Sequence, residues 1–226
     1  MTKSILSLSG AFLLAFASAS AQQREVTDIR SLYVGEGVIV DYDYGGIYTV
    51  EVVGGDVAAA DIRDAGNRLL LDQKEPASTD NPPHFRITGP RGPNIVMVQG
   101  GARLTFRDVR YEEDQSPTAQ VLNGSQLIYQ PITAHNIEIT GRNRAYIYLK
   151  GGIGVCNFRA HDETIIEATE LACEEADFVL SNQSSVRVRV LNFFESFVGA
   201  GSYLTILGAP EHYEHKFEEG GELRFE

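Results

Sequence analysis

Between residues 135 and 207, apolar and polar side chains alternate in short bursts that recur about every nine or ten residues. Ile137-Glu138-Ile139 is followed by Ala145 to Leu149, Val155 to Phe158, Ile165 to Ala168, Phe178 to Leu180, Val186 to Val190 and Leu204 to Leu207. A period of two sets Val186, Val188 and Val190 on one face and Arg187 and Arg189 on the other. By the same rule Ala145, Ile147 and Leu149 face inward when Tyr146 and Tyr148 face out. Gly, Asn, Asp and Ser punctuate the bursts, and no helical period intervenes. Spacing this regular predicts a coiled or layered all-β structure built from near-repeats, each leaving an apolar face that only a neighbour can cover.

Upstream the grammar is strand and turn. Leu32 to Val34, Val38 to Val40 and Ile47 to Val53 are β-prone runs separated by Gly35-Glu36-Gly37 and Asp43-Tyr44-Gly45-Gly46. Asp56 to Asp64 reads either as one helical turn, favoured by Ala58, Ala59 and Ala60, or as a loop before Leu69-Leu70-Leu71. Pro76, Pro82, Pro83, Pro90 and Pro93 then cluster with Gly, Ser, Asp and Asn. The stretch 75–93 reads as a proline-rich insertion on the surface, holding at most the short strand Phe85-Arg86-Ile87. Strands resume at Asn94 to Val98, Leu104 to Phe106 and Leu127 to Tyr129.

The first residues set the expected compartment. Lys3, the apolar run Ile5 to Ala17 and the small residues Ala19-Ser20-Ala21 have the three-part layout of a secretory signal peptide over residues 1–21, cleaved before Gln22. The run is too short and too rich in Ser to span a bilayer, and no later segment reaches transmembrane length. One β domain over residues 22–226 is expected in the periplasm, on the outer surface or outside the cell. The formal charge is −12, and removing Lys3 with the leader makes it −13. Phosphate backbones and anionic headgroups would repel such a chain, which disfavours nucleic acid as a partner.

Two cysteines remain, Cys156 and Cys173, 17 residues apart. If each turn of a coil holds two strand intervals, they fall in adjacent rungs about 4.8 Å apart, close enough for a disulfide in an oxidising compartment. Two reduced cysteines stacked in the core fit the same spacing.

Certain stretches match a known pattern. They are Arg24-Glu25-Val26-Thr27-Asp28-Ile29, the Leu32 to Val40 strand, Tyr48 to Val52, Asp61-Ile62 and Leu69-Leu70-Leu71. With them go the strand ladder ending in Ser202 to Pro210, and Gly220-Gly221. Together they resemble the head GIN domain of putative auto-transporter adhesins, over roughly Arg24 to Phe225. The resemblance implies a secreted, right-handed parallel β-helix-like solenoid of short strands in the bacterial envelope. It brings no catalytic residues with it.

Candidate chemistry is sparse. His212, Glu214 and His215 are the only tight His/carboxylate cluster, but at strand spacing His215 points away from the other two, and no metal or other cofactor is assigned. Glu112-Glu113-Asp114, Glu174-Glu175-Asp177 and Glu218-Glu219 fit no calcium loop. With 31 acidic residues, pairs suited to glycoside cleavage arise without meaning. Outward Tyr146 and Tyr148, with Arg142, Arg144, Lys150, Arg187 and Arg189, make one basic and aromatic zone, which suits sugars or acidic polymers but also an ordinary wet strand face. Asn123-Gly124-Ser125 and Asn182-Gln183-Ser184 are glycosylation-type triplets, relevant only in a eukaryotic secretory route. Glu214, Lys216, Glu218 and Glu219 near the end would discourage stacking on an open edge. The reading is an exported, non-enzymatic β-helix protein of the envelope or cell surface that serves in adhesion or surface binding, with surface glycans or envelope polymers as its partners. The alternative is a periplasmic carbohydrate-binding or carbohydrate-cleaving protein.

Overall fold

A computed structural model describes residues 23–74 and 80–226. The leader read at residues 1–21 and residues 75–79 of the proline-rich stretch lie outside the described residues. Strand makes up 65% of the described residues, which wind into a β-solenoid of about seven turns. In chain order the strands are β1 (Arg24–Glu25), β2 (Ser31–Val34), β3 (Ile39–Tyr44), β4 (Thr49–Gly54), β5 (Ala60–Asp64) and β6 (Arg68–Gln73). There follow β7 (His84–Gly89), β8 (Ile95–Val98), β9 (Arg103–Arg110), β10 (Thr118–Leu122), β11 (Gln126–Arg142) and β12 (Tyr146–Ala160). The last are β13 (Ile165–Leu180), β14 (Ser185–Val198), β15 (Tyr203–Leu207), β16 (His212–Phe217) and β17 (Glu222–Phe225). A 3-10 turn at Val57–Ala59 is capped by the Asp56 carboxylate, which accepts from the Ala58 and Ala59 amides, and the chain becomes strand again at Ala60.

Two parallel ladders run the length of the coil. Along one, Phe85, Val40, Leu104, Leu127, Ile147, Ile166, Val186 and Leu204 occupy equivalent places in successive rungs, all within the core. Along the other, Leu69, Leu32, Val96, Ala119, Ile139, Phe158 and Phe178 do the same. Tyr146, Ile165, Ser185 and Tyr203 are paired rung to rung, so one turn takes 19, 20 and then 18 residues. Each turn therefore holds two of the sequence bursts. The strands are longer than those bursts, because pairing continues where the chain bends from one face to the next, with register shifts at the bends.

Gly151 sits at such a bend with φ of +135°, beside the rung that carries Ile132. An added Cβ there would collide with the Ile132 carbonyl oxygen, and the backbone conformation is one that L side chains rarely adopt.

The first rungs are not stacked in chain order. The β2–β3 rung lies between the β6–β7 rung and the β8–β9 rung, because β2 pairs with both β6 and β8, and β3 with both β7 and β9. After β7 the chain must step over the β2–β3 rung to reach β8. The connection Pro90–Asn94 does so, and side chains hold it in place. The Tyr42 hydroxyl donates to the Arg91 carbonyl at 2.5 Å, Tyr111 donates to the Pro93 carbonyl at 3.2 Å, and the Arg91 guanidinium bonds Asp28 at 2.8 Å. Residues 84–89 of the proline-rich stretch are thus part of the coil as rung strand β7, and Pro90 and Pro93 lie where the chain leaves the ladder and needs no amide donor.

The two ends of the solenoid differ. At the N-terminal end β4 runs antiparallel on β7, β5 antiparallel on β6, and β1 antiparallel on β4. This layer covers the outermost rung, so Phe85, Ile87, Leu69 and Leu71 are fully buried. At the C-terminal end β16 pairs only with β14 and β17 only with β15 among the described residues.

Cys156 and Cys173 are joined by a disulfide between adjacent rungs, with Cα atoms 6.0 Å apart. Both residues are completely buried, beside Ile153 and Ala176 in register.

Two outcomes follow from this architecture. Gly151→Ala should lower stability by roughly 3 kcal/mol or more, seen as an earlier urea midpoint, because both the φ and the close backbone approach are violated. Replacing both cysteines with Ala should cost about 3 kcal/mol for a closed loop of this length. Thiol counts before and after reduction of the purified chain check that the bond forms.

Candidate functional site

The outer faces of the two ladders carry different chemistry. On the ladder that includes β12 to β15, one outward column runs Gln126, Tyr146, Ile165, Ser185, Tyr203 and Glu222, one residue per rung. The adjacent outward column runs Ile128, Tyr148, Glu167, Arg187, Thr205 and Arg224. Tyr146, Ile165 and Tyr203 are exposed large apolar side chains standing in register on the outer face of the sheet. The rungs are about 4.8 Å apart, so Tyr146 and Tyr203 are separated by about 14 Å.

Several of these side chains are held in place. The Tyr148 hydroxyl donates to the Glu170 carboxylate at 2.5 Å, and the other oxygen of Glu170 accepts from Lys150 at 2.8 Å. Hydrogen bonding to Glu170 stabilises the neutral phenol and pushes the Tyr148 pKa up to about 12. Arg224 lies over the Tyr203 ring, 5.2 Å from its centre, and Arg187 pairs with Glu226 at 2.8 Å. The result is a patch of aromatic and aliphatic surface fringed by fixed charges.

The opposite ladder presents an acidic column. Glu138, Asn157, Asp177, Glu195 and Glu214 stand in register on successive rungs. Arg159 lies within 3.8 Å of Glu138 and 3.7 Å of Asp177, which relieves part of the repulsion.

The remaining sequence candidates fall as follows. Tyr146, Tyr148 and Arg187 share one face, whereas Arg142 and Arg144 lie at a corner and Lys150 is turned toward Glu170. His212 and Glu214 lie on one side of β16, while the His215 ring packs between Tyr213 and Phe217, at 5.6 and 4.8 Å. Glu112 to Asp114 occupy the loop before β10, where the Gln115 side chain caps the Glu112 amide. Among the described residues no group of three or more His, Cys, Asp or Glu is placed to hold a metal ion.

The triplets Asn123-Gly124-Ser125 and Asn182-Gln183-Ser184 belong to one corner of the coil. With Asn143-Arg144 and Asp162-Glu163, their first two residues all have positive φ, as a type I′ turn requires. The first side chains link rung to rung: Asn143 donates to Asn123 at 2.8 Å, and Asn182 to Asp162 at 2.7 Å. Behind them Ser125, Thr164, Ser184 and Ser202 are completely buried; the three serine hydroxyls accept from amides of the neighbouring turn, while the Thr164 hydroxyl donates to the His161 carbonyl. These triplets build the corner.

Sequence reasoning did not find one polar network. On the outer face near the N-terminal end, Glu51, Arg86, Asp43, Arg107, Asp41 and His84 form a continuous chain of contacts between 2.9 and 3.7 Å. Its members are far apart in sequence and meet only because β4, β7, β3 and β9 are neighbours. Each has a partner already, so the network braces the sheet.

Known proteins match the chain in fold and family. The family described as putative auto-transporter adhesin, head GIN domain, matches residues 29–210. No curated protein matches. Three solved structures are similar. An adhesin, titled putative, from Bacteroides fragilis has a TM-score of 0.79 at 14% identity, over 91% of this chain and 95% of that one. A second from Parabacteroides distasonis gives 0.71 at 13%, over 91% and 96%. A third, from the same species and titled a putative lipid binding protein, gives 0.62 at 10%, over 91% and 95%. At these identities the likeness is one of fold.

The fixing of Tyr148 by Glu170 can be measured. In a Tyr-ring NMR titration, Glu170→Gln should bring the Tyr148 midpoint down from about 12 toward the ordinary phenol value, since the anionic acceptor that favours the protonated form is gone. An unchanged midpoint would place the phenol in another interaction.

Proposed function

Since the chain belongs to the head GIN domain family of putative auto-transporter adhesins, we propose that it is an exported, non-enzymatic binding module of the envelope or cell surface. On this reading residues 1–21 are the signal peptide and the mature chain starts at Gln22. It holds its target on the outer face of Tyr146, Tyr148, Ile165 and Tyr203. The observation that carries the proposal is the column of exposed rings and aliphatic groups set in register on a rigid sheet. Aromatic faces suit the apolar faces of sugar rings, and Arg187 and Arg224, held by Glu226 and Glu222, fringe them with fixed hydrogen-bonding groups suited to sugar hydroxyls.

The target class is a surface glycan or an envelope polymer. A column about 14 Å long spans several sugar units, and an outer sheet face accommodates an extended chain better than a small enclosed ligand. No membrane-crossing role is assigned, and no helix among the described residues is long and apolar enough to cross a bilayer. The carbohydrate-binding alternative shares this surface. Its cleaving version requires two carboxyl groups across a groove, whereas Glu170, the carboxylate in contact with Tyr148, is already paired with Lys150.

The test is a binding screen of the chain from Gln22 to Glu226 against glycans and purified envelope polymers. A ligand of this face should lose affinity by about 10-fold or more in Tyr146→Ala/Tyr203→Ala, with the circular dichroism spectrum unchanged. Binding that survives the double substitution places the site elsewhere, and turnover of a bound glycan would replace the non-enzymatic reading.

A further inference from the structure

The C-terminal end of the solenoid exposes the cross-section of its own core. Tyr213 continues a column whose earlier members, Ile137, Cys156, Ala176 and Phe194, are buried, yet it is 47% exposed. Phe217 follows Ala160, Leu180 and Val198, all at 0%, and is 45% exposed. Phe225 follows Ala168, Val188 and Ile206 and is 48% exposed. These rings stand where a further rung would cover them. The opposite end of the coil has such a cover, in β4 and β5.

We propose that a second copy of this chain closes the open end, with β16 pairing antiparallel to β16 and β17 to β17 about a single two-fold axis. The outward side chains of both strands are self-complementary. An antiparallel pair about His215 sets Glu214 opposite the partner's Lys216 and Tyr213 opposite the partner's Phe217. An antiparallel pair about Leu223 sets Glu222, which already bonds Arg224 of its own chain, beside the partner's Arg224 as well, so that the two ion pairs join across the axis. Both registers keep inward residues facing inward, as a continuous core requires. One axis serves both strands. Tyr213 and Phe225 touch across the core with ring centres 5.3 Å apart. Stepping two residues in opposite senses along strands joined by the short turn at residues 218–221 then sets His215 across from Leu223.

Charge also favours this occupant. The acidic column Asp177–Glu195–Glu214 reaches the open edge with like charges on neighbouring rungs. The partner's Lys216 would extend that column with a cation. Glu226 is already paired with Arg187. Glu218 and Glu219 lie in the turn between the two strands, at the rim of the end face. Indefinite stacking is opposed by the other end of the coil, which is closed by its antiparallel layer. A two-fold contact uses up the open end and stops at a dimer.

Sedimentation equilibrium of the chain from Gln22 to Glu226, between about 1 and 500 µM, should show a monomer–dimer equilibrium. Lys216→Glu/Arg224→Glu places like charges opposite each other on both strands, and should weaken the dimer by at least about 10-fold with an unchanged circular dichroism spectrum. The swap Glu214→Lys/Lys216→Glu/Glu222→Arg/Arg224→Glu keeps every cross-strand pair opposite in sign and should restore the dimer. A wild-type chain that stays monomeric throughout overturns the proposal, as does a dimer indifferent to the charge reversal. Growth into larger species overturns it too, in favour of head-to-tail contact.

Discussion

In-register parallel pairing repeats every side-chain column at intervals of about 4.8 Å, and because strand side chains alternate with a period of two, a slip of one residue would turn each column inside out. The rest of the molecule depends on that register. The Val186 and Val188 side chains are completely buried only because Ile166 and Ala168 on one side, and Leu204 and Ile206 on the other, stand in matching places. A rung alone is half a core. Burial energy is therefore shared between neighbours, and a solenoid is stable in its middle and most exposed to fraying at its ends.

What the sequence revealed follows from the same constraint. From β12 to β15 the rungs succeed one another in chain order and have nearly equal lengths, so the alternation of Ile, Val and Phe with polar residues displays the coil directly. Near the N-terminus the alternation is as clear, but it says which residues face inward and not which strand lies beside which. The placing of β2–β3 between β6–β7 and β8–β9 is determined by a connection whose prolines read as an insertion, and by tyrosine hydroxyls that look like ordinary core aromatics until their acceptors are known. The polar chain from Glu51 to His84 was hidden for this reason. Its residues are ordinary exposed charges unless β7 lies between β4 and β3.

The corners show how a short motif can mislead. Asn-x-Ser triplets suggest a modification site, and here the Asn supplies a positive-φ turn residue while the Ser turns its hydroxyl into the coil. Arg144, Glu163 and Gln183 occupy the second turn position with φ near +60°, where glycine would be less strained. Backbone bonds between corners, such as Arg144 to Asp162 at 2.8 Å and Glu163 to Asn182 at 2.9 Å, continue the ladder through these turns. Local strain at one turn is thus offset by bonds to the turns on either side, a compensation that a single turn in isolation would lack.

The core of such a coil can do little except hold the coil together, since each inward position is committed to the rungs above and below. Specific recognition must come from the outward columns and from the ends. Those columns are unlike: one face carries rings and aliphatic groups, the other a file of carboxylates. Polymers whose charges are negative would be turned away by the carboxylate file and tolerated beside Arg187 and Arg224, so the two faces are not interchangeable as contact surfaces. The difference between the ends follows the same logic. The antiparallel layer of β4 and β5 lets the chain finish one end by itself, whereas β16 and β17 leave inward aromatic side chains without the neighbour that every earlier rung has. A surface column can remain unpartnered at little cost. An exposed core cross-section is the more demanding feature, and an account of how this molecule assembles has to say what covers it.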